Sequence, residues 1–285
     1  MRPPARYHPE FEPAKPFKYP THLRQAIIDL PCTPGVYVFH GEEGDLPLYI
    51  GKSVNLRSRV LSHLRNPDEA RLLLQTRRIS YIRTAGEIGA LLLESSLIKS
   101  LQPLMNKKLR RIRQLCSLRV IDGPPEVVYF NELDFASEPC LYGLFSSKRS
   151  AQETLYAIAD QEQLCYGALG LEKLTPGRAC FRAMLHQCAG LCRGDETFDA
   201  HHSRLLRSLE FLRVDPWPYQ GAVALIERDA DERQFHVIHN WRYLGSARSK
   251  IEARRLVDKD ACFDLHGYGL LRKLLQNGLA EIVLL

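Results

Sequence analysis

The sequence predicts a mixed α/β protein of the α+β kind: a small first domain with a central antiparallel sheet flanked by helices, then a cysteine-rich segment and a second α+β domain. Three observations carry this expectation. Within residues 21–108, short β-rich runs alternate with stretches of helical periodicity, and the turn chemistry of Gly41-Glu42-Glu43-Gly44-Asp45 separates the first two runs. Four of the eight cysteines, Cys165, Cys180, Cys188 and Cys192, crowd into one stretch. Beyond Asp215-Pro216-Trp217-Pro218, a hairpin pattern is followed by two helical patterns.

Taken in order, residues 1–20 carry Pro3, Pro4, Pro9, Pro13, Pro16 and Pro20, which deny both helix and strand pairing and predict an extended arm. A short amphipathic helix (Leu23, Ile27, Leu30) stops at Pro31. The runs 35–39 and 46–50 read as a β-hairpin. Leu56, Val60 and Leu64 place a helix over 55–64, a further helix fits 71–78, and 79–84 reads as a third strand. A strongly periodic helix follows over 87–100. After the basic run Lys107, Lys108, Arg110, Arg111, Arg113, residues 109–164 form a linker and a middle region with short β runs, ending in a helix capped by Ser146-Ser147. The four-cysteine segment spans 165–195. In the last domain, 196–285, runs 222–227 and 234–240 flank Asp229-Ala230-Asp231, helices lie near Lys250 and Leu270, and Asn277-Gly278 ends the second before a final strand.

Composition excludes several classes. Hydrophobic content of 45% with 25% charged residues is that of a globular chain, so disorder, collagen-like and disulfide-scaffold classes are set aside. Apolar stretches such as 90–93 and 282–285 fall far short of the roughly 18 to 20 residues of a membrane span. The opening MRPPARYHPE has no apolar run of the secretory type, so a cytoplasmic protein with reduced thiols and no membrane partner is expected. Charge is unevenly placed: residues 1–120 hold 20 Lys and Arg against 10 Asp and Glu, the remainder 19 against 23. A basic first part points to a polyanionic partner, nucleic acid being the commonest; a solvated basic face is the alternative.

Several side chains in the first domain can carry chemistry. Strand alternation lets the hydroxyls of Tyr37 (in Gly35-Val36-Tyr37) and Tyr49 (in Tyr49-Ile50-Gly51) converge. Arg59 and His63 are four apart on one helix face and present a guanidinium beside an imidazole. Glu94 falls within the apolar stripe of Ile88, Leu91, Leu92, Ile98 and Leu101, so its carboxylate needs a cation or an arginine.

These segments, GVY, YIGKSVNLRSRVLSHL and ALLLESSLIKSLQPLMN, together resemble the GIY-YIG nuclease domain, and most the UvrC branch of that family; the match spans about residues 30 to 107. The resemblance implies that Tyr49 is the general base, Arg59 the catalytic arginine and Glu94 the single ligand of a divalent metal, Mg or Mn. It also implies supporting roles for Tyr37, Lys52 and Asn106. His63 stands where UvrC proteins usually carry tyrosine; other branches of the superfamily use histidine there, which implies that its catalytic role is kept. A tyrosine with a pKa near about 10 is a poor base at neutral pH, so Tyr49 needs help, with Lys52 or a metal-bound water as candidates.

The four clustered cysteines are soft ligands without a CxxC pair, and their spacing does not choose between zinc and an iron–sulfur cluster. GRACFRAMLHQCAGLC is similar to the UvrC segment whose four cysteines hold an iron–sulfur cluster, which implies a 4Fe-4S centre with zinc as the alternative. Cys180, Cys188 and Cys192 match that segment well, whereas the gap before Cys180 is longer here and weakens the match of Cys165. Cys32, Cys116, Cys140 and Cys262 read as ordinary, mostly buried residues.

The sequence contains no second nuclease constellation, UvrB-binding hairpin or helix-hairpin-helix repeats. It therefore resembles the single-nuclease members of the family, which implies a monomer that makes the 3′ incision at damaged double-stranded DNA marked by UvrA and UvrB. The basic run at 107–113 is the expected DNA contact. Two other readings are a free-standing nuclease acting on branched DNA or mobile elements, and a non-catalytic DNA-binding or cluster-sensing protein on a decayed nuclease.

Overall fold

The computed structural model describes residues 21–42, 46–106, 115–175, 178–230, 232–278 and 280–285. The proline-rich arm at 1–20 and the basic run of Lys107, Lys108, Arg110, Arg111 and Arg113 lie outside the described residues. The chain divides into two compact units, Met1–Lys107 and Lys108–Leu285.

In the first unit, β1 (Gly35–His40) sits between β2 (Pro47–Ser53) and β3 (Arg78–Arg83), antiparallel to both. As the central strand it is buried along nearly its whole length, which accounts for its run of Val36, Tyr37, Val38 and Phe39. The register opposes Tyr37 to Gly51 and Phe39 to Tyr49, so these side chains share one face of the sheet. Against that face lies α2 (Leu56–Arg65), whose Leu56 and Val60 join Leu30, Tyr37, Phe39, Leu48 and Leu72 in one core. Asn55 caps α2 by accepting a hydrogen bond from the Ser58 N–H at 2.9 Å. Helices α1 (Leu23–Ile28) and α3 (Ala70–Gln75) complete this layer through Leu23, Leu64 and Leu73. The long α4 (Glu87–Leu101) packs on β1 and β2 and buries Ala90, Leu92, Ser95 and Ile98. Leu101, expected in its buried stripe, is exposed at the last turn.

Two glycines are required by close approach. An added Cβ at Gly51 would lie 2.2 Å from the Tyr37 hydroxyl oxygen, and one at Gly35 would lie 2.3 Å from the Ile82 carbonyl on β3. The ring of Tyr37 thus crosses the space that any side chain at position 51 would occupy.

The second unit begins with a sheet ordered β5 (Glu126–Tyr129), β4 (Cys116–Arg119), β6 (Leu141–Phe145). Helices α5 (Lys148–Gln161) and α7 (Phe198–Leu209) pack with it through Leu155, Ile158, Leu205 and Leu209. Between them runs the cysteine segment with the one-turn α6 (Phe181–Met184). The last part is a four-stranded antiparallel sheet, β10 (Glu281–Leu284), β7 (Val223–Arg228), β8 (Arg233–His239), β9 (Arg242–Ala247), with α8 (Lys250–Arg255) and α9 (Leu265–Gln276). Asn240 and Trp241, both at positive φ (49° and 58°), make the tight β8–β9 turn. Indole Nε1 of Trp241 donates to the Asp215 carbonyl at 2.9 Å and its ring meets Trp217 and Tyr268, which holds a large residue in a conformation usually left to glycine.

Among the described residues no helix is long and apolar enough to cross a membrane.

Gly51→Ala is expected to lower stability by about 1–3 kcal/mol through overpacking against Tyr37. Urea denaturation of the purified variant measures this; an unchanged midpoint would mean that the ring gives way without cost.

Candidate active site and cysteine centre

The hydroxyl of Tyr37 is the hub of the first unit. It is buried (1% exposed) and lies 2.6 Å from Nε2 of His63, itself buried on α2. Burial is the main reason its pKa is pushed up, reinforced by the neighbouring Tyr49; a hydrogen bond from Arg59 pulls the other way. Tyr49 is half-buried and also raised, first by burial and next by the charge of Glu94, while Arg59 and a hydrogen bond with Tyr37 oppose the shift. The three rings are closely grouped, with centroids 6.3 Å apart for Tyr37–Tyr49, 5.3 Å for Tyr37–His63 and 5.6 Å for Tyr49–His63. Arg59, one turn before His63 on α2, is exposed, so its guanidinium reaches both solvent and the tyrosines.

Glu94 projects from α4 and accepts a hydrogen bond from the Lys52 backbone N–H at 3.0 Å. Burial raises its pKa, partly opposed by that N–H and by the charges of Lys52 and Arg59. Among the described residues it forms no ion pair. A half-buried carboxylate without a bound cationic side chain suits a hard divalent ion, which takes oxygen ligands. Lys52 instead places its ammonium 2.7 Å from Glu87 Oε1, in the first turn of α4. Lys52, one of the two helpers expected for Tyr49, thus gives its backbone N–H to Glu94 and pairs its ammonium with Glu87, while its charge also acts on Glu94.

Asn106 is held against β2 at Ile50, the residue after Tyr49. Its Oδ1 accepts from the Ile50 N–H and its Nδ2 donates to the Ile50 carbonyl, both at 2.9 Å, while Leu104 and Met105 donate to the Pro47 and Leu48 carbonyls. The segment after α4 thereby lines β2 and its asparagine mimics a strand partner.

Glu69 escaped the sequence reading. It sits in a single 3₁₀ turn, Pro67–Glu69, begun by the Asn66 cap, and its Oε2 accepts a short hydrogen bond from His63 Nδ1. Asn66 Nδ2 donates to Glu69 Oε1 at 3.2 Å. The Asn-Pro-Asp-Glu run directly after α2 was the available signal, since a cap followed by proline marks a turn that folds back on the helix just ended.

All four cysteines of the second constellation meet. Cys165 Sγ lies 3.7 Å and Cys188 Sγ 3.6 Å from Cys180 Sγ, and Cys192 Sγ accepts from the Cys180 N–H at 3.3 Å. The ligand atoms of Cys165, Cys180 and Cys192 lie within 4.8 Å of one another. No disulfide links them. Buried His201 on α7 fixes one side by accepting from the Cys165 N–H at 3.0 Å. Four convergent soft thiols with no covalent pairing form a donor set suited to a thiolate-bound metal centre. Of the four scattered cysteines, Cys116 is buried and Cys140 half-buried, but Cys32 and Cys262 are exposed, against expectation.

Three family models match the chain: the UvrC-like GIY-YIG domain over residues 33–107, the UvrC/Cho excinuclease middle domain over 113–211, and the Excinuclease Cho C-terminal domain over 222–285. The fold and site thus define a UvrC-type GIY-YIG nuclease. Excinuclease Cho of Escherichia coli (strain K12) is 57% identical over 273 residues, covering 96% of this chain and 92% of that one. The Salmonella typhimurium Excinuclease Cho is 56% identical over 274 residues, 96% and 94% respectively. The UvrABC system protein C of Psychrobacter arcticus is 28% identical over 82% of this chain but only 39% of its own length. A crystal structure of the GIY-YIG N-terminal endonuclease domain of UvrC from Thermotoga maritima, bound to magnesium, is 31% identical and covers 30% of this chain and 98% of that chain, with a TM-score of 0.28. This chain belongs to the Excinuclease Cho family of UvrC-type nucleases, which are phosphodiester hydrolases.

Asn106→Ala removes both partners of the Ile50 backbone on β2. The expected loss is about 1–3 kcal/mol of stability, read from the denaturation midpoint, with the largest hydrogen-exchange change at residues 47–50. A variant as stable as the parent would make the pairing incidental.

Proposed function

We propose that this protein is a metal-dependent DNA endonuclease that makes the 3′ incision at damaged double-stranded DNA in UvrA- and UvrB-dependent nucleotide excision repair. The observation that carries the reading is the assembly of Tyr37, Tyr49, Arg59 and His63 on one face of the sheet, with Glu94 close enough to perturb Tyr49. Phosphodiester hydrolysis needs an activated water and stabilisation of charge on the phosphoryl and leaving oxygens.

In this reading Glu94 holds a Mg or Mn ion, which when bound supplies Lewis-acid stabilisation of the phosphoryl and leaving oxygens. Lys52 positions Glu94 through its backbone N–H. Arg59 stabilises the negative charge that grows in the transition state, from an exposed position that a phosphate can reach. Tyr49 orients the attacking water and takes its proton. Lys107, Lys108, Arg110, Arg111 and Arg113 bind the DNA backbone, a contact that sets affinity and salt dependence. UvrB is met on the DNA by a monomer of this chain, in the cytoplasm.

The cysteine centre is read as a 4Fe-4S cluster on Cys165, Cys180, Cys188 and Cys192, with zinc as the alternative. His201, and through it α7, ties the centre to the core of the middle region. Its role is structural or DNA-contacting.

Two tests follow from this reading. On a strand-labelled damaged duplex loaded with UvrA and UvrB, Glu94→Gln is expected to abolish nicking with the fold intact, and Arg59→Ala to slow single-turnover nicking by about 10² with little change in DNA affinity. Robust incision by Glu94→Gln under Mg²⁺ would overturn the metal assignment. For the second site, protein purified without oxygen is expected to contain iron and sulfide and to lose both, together with stability, in Cys188→Ser. One zinc per chain would replace the cluster, and no metal with a fully stable variant would remove the centre altogether.

A further inference from the structure

The proposed base has a physical difficulty. Burial and the charge of Glu94 both raise the pKa of Tyr49, and Tyr37 is raised as well, so neither hydroxyl yields a tyrosinate near neutral pH. A tyrosine can nevertheless accept a proton from water if its own hydroxyl proton leaves in the same step. The groups around Tyr37 supply such an exit: the Tyr49 ring lies beside that of Tyr37, with centroids 6.3 Å apart, the Tyr37 hydroxyl lies 2.6 Å from His63 Nε2, and His63 Nδ1 is held by Glu69.

The tautomer follows from these partners. A carboxylate only accepts hydrogen bonds, so Nδ1 of His63 carries the hydrogen toward Glu69. In the neutral ring Nε2 is then an acceptor and faces the Tyr37 hydroxyl. Burial lowers the pKa of His63, more strongly than Glu69 raises it, which favours the neutral, accepting ring. The groups facing His63 are Tyr37 from β1, Tyr49 from β2, Arg59 from its own helix and Glu69 from the following turn. Glu69 is the sole anion among them, and it is anchored on its other oxygen by Asn66.

We propose that Glu69 is a positioning residue that makes the His63–Glu69 pair the proton acceptor of the active site, reached from the attacking water through Tyr49 and Tyr37. This rests on the reading of Tyr49 as the group that receives the water's proton. A water O–H bond breaks and an O–H bond forms at Tyr49; the Tyr49 hydroxyl proton passes to the Tyr37 oxygen, and the Tyr37 proton to His63 Nε2. The water oxygen bonds to phosphorus as the bond to the 3′ oxygen breaks, and that oxygen takes a proton from solvent. His63 ends as imidazolium beside the Glu69 carboxylate, which remains ionised, and the extra proton then returns to solvent. Glu69 touches neither substrate nor metal; it acts by holding the tautomer and stabilising the cation formed at the end of the chain.

The test is Glu69→Gln, which keeps an amide oxygen for Nδ1 but removes the charge. Two readouts are taken on the full chain. In ¹⁵N-labelled protein without DNA or metal, the pKa of His63 is expected to fall in the variant, because the imidazolium has lost its anion. In single-turnover nicking of a damaged duplex loaded with UvrA and UvrB, the rate is expected to drop on the order of 10² at neutral pH with unchanged DNA affinity. The acid limb also moves: the parental rate falls as pH drops through the His63 pKa, and in the variant that fall occurs at lower pH. An unchanged rate and profile overturn the proposal. A slower rate with an unmoved His63 pKa and acid limb also overturns it, since Glu69 would then only support the local fold. Tyr49→Phe separates the levels: if it nicks normally, the reading of Tyr49 fails and the relay with it, whereas an inactive Tyr49→Phe beside an unaffected Glu69→Gln removes the relay alone.

Discussion

The buried hydroxyl of Tyr37 is the constraint on which the nuclease unit depends. A phenolic oxygen inside a β-sheet face must be hydrogen-bonded, because leaving it unpaired costs about 1–3 kcal/mol. Its partner, His63, arrives from α2, so the helix must lie across the sheet at the level of Tyr37. The ring in turn leaves no room for a side chain at position 51, and so the second strand carries glycine there, directly after the Tyr49-Ile50 pair. One satisfied polar atom thus sets the register of β1 on β2, the docking of α2 and the position of Tyr49.

The same arrangement concentrates groups that are unfavourable for stability. Glu94, Tyr37, Tyr49 and His63 all have their charged forms disfavoured by burial. Among them His63 is held by Glu69, and nearby Lys52 binds Glu87 at the solvent-exposed start of α4. A site that leaves one carboxylate half-buried and without an ion pair among the described residues is poised for a cation and a polyanionic substrate, and its groups are the ones a purely stabilising design would replace.

Much of this was legible in the sequence because the nuclease motifs are also structural rules. Gly35, Gly51 and the Asn55 cap each have a backbone reason, and the apolar spacing of Leu56, Val60 and Leu64 placed α2 within one residue of its limits. What remained hidden depended on contacts distant in sequence or on unusual turn residues. Glu69 is invisible as a partner until the turn after α2 folds back. Helix α7 went unread because the first of its inward positions is His201, a buried histidine that serves the Cys165 backbone, ahead of Leu205 and Leu209. Strand β9 was missed because its hairpin turn is Asn240-Trp241, where Asn-Gly would have been the signal, and Trp241 is held there by Trp217, Tyr268 and Asp215. The pairing of Lys52 with Glu87 was hidden for a similar reason, since Glu87 lies 35 residues away in sequence.

In the proposed function, a divalent ion offsets the burial cost of Glu94. Thermal unfolding under Mn²⁺ titration of the parent and of Glu94→Gln tests this without DNA or catalysis. A saturable rise in the parent's midpoint is expected, as binding to the native state requires, and no rise in Glu94→Gln, which should be at least as stable as the parent in metal-free buffer. Equal metal-dependent stabilisation of the two proteins would contradict it.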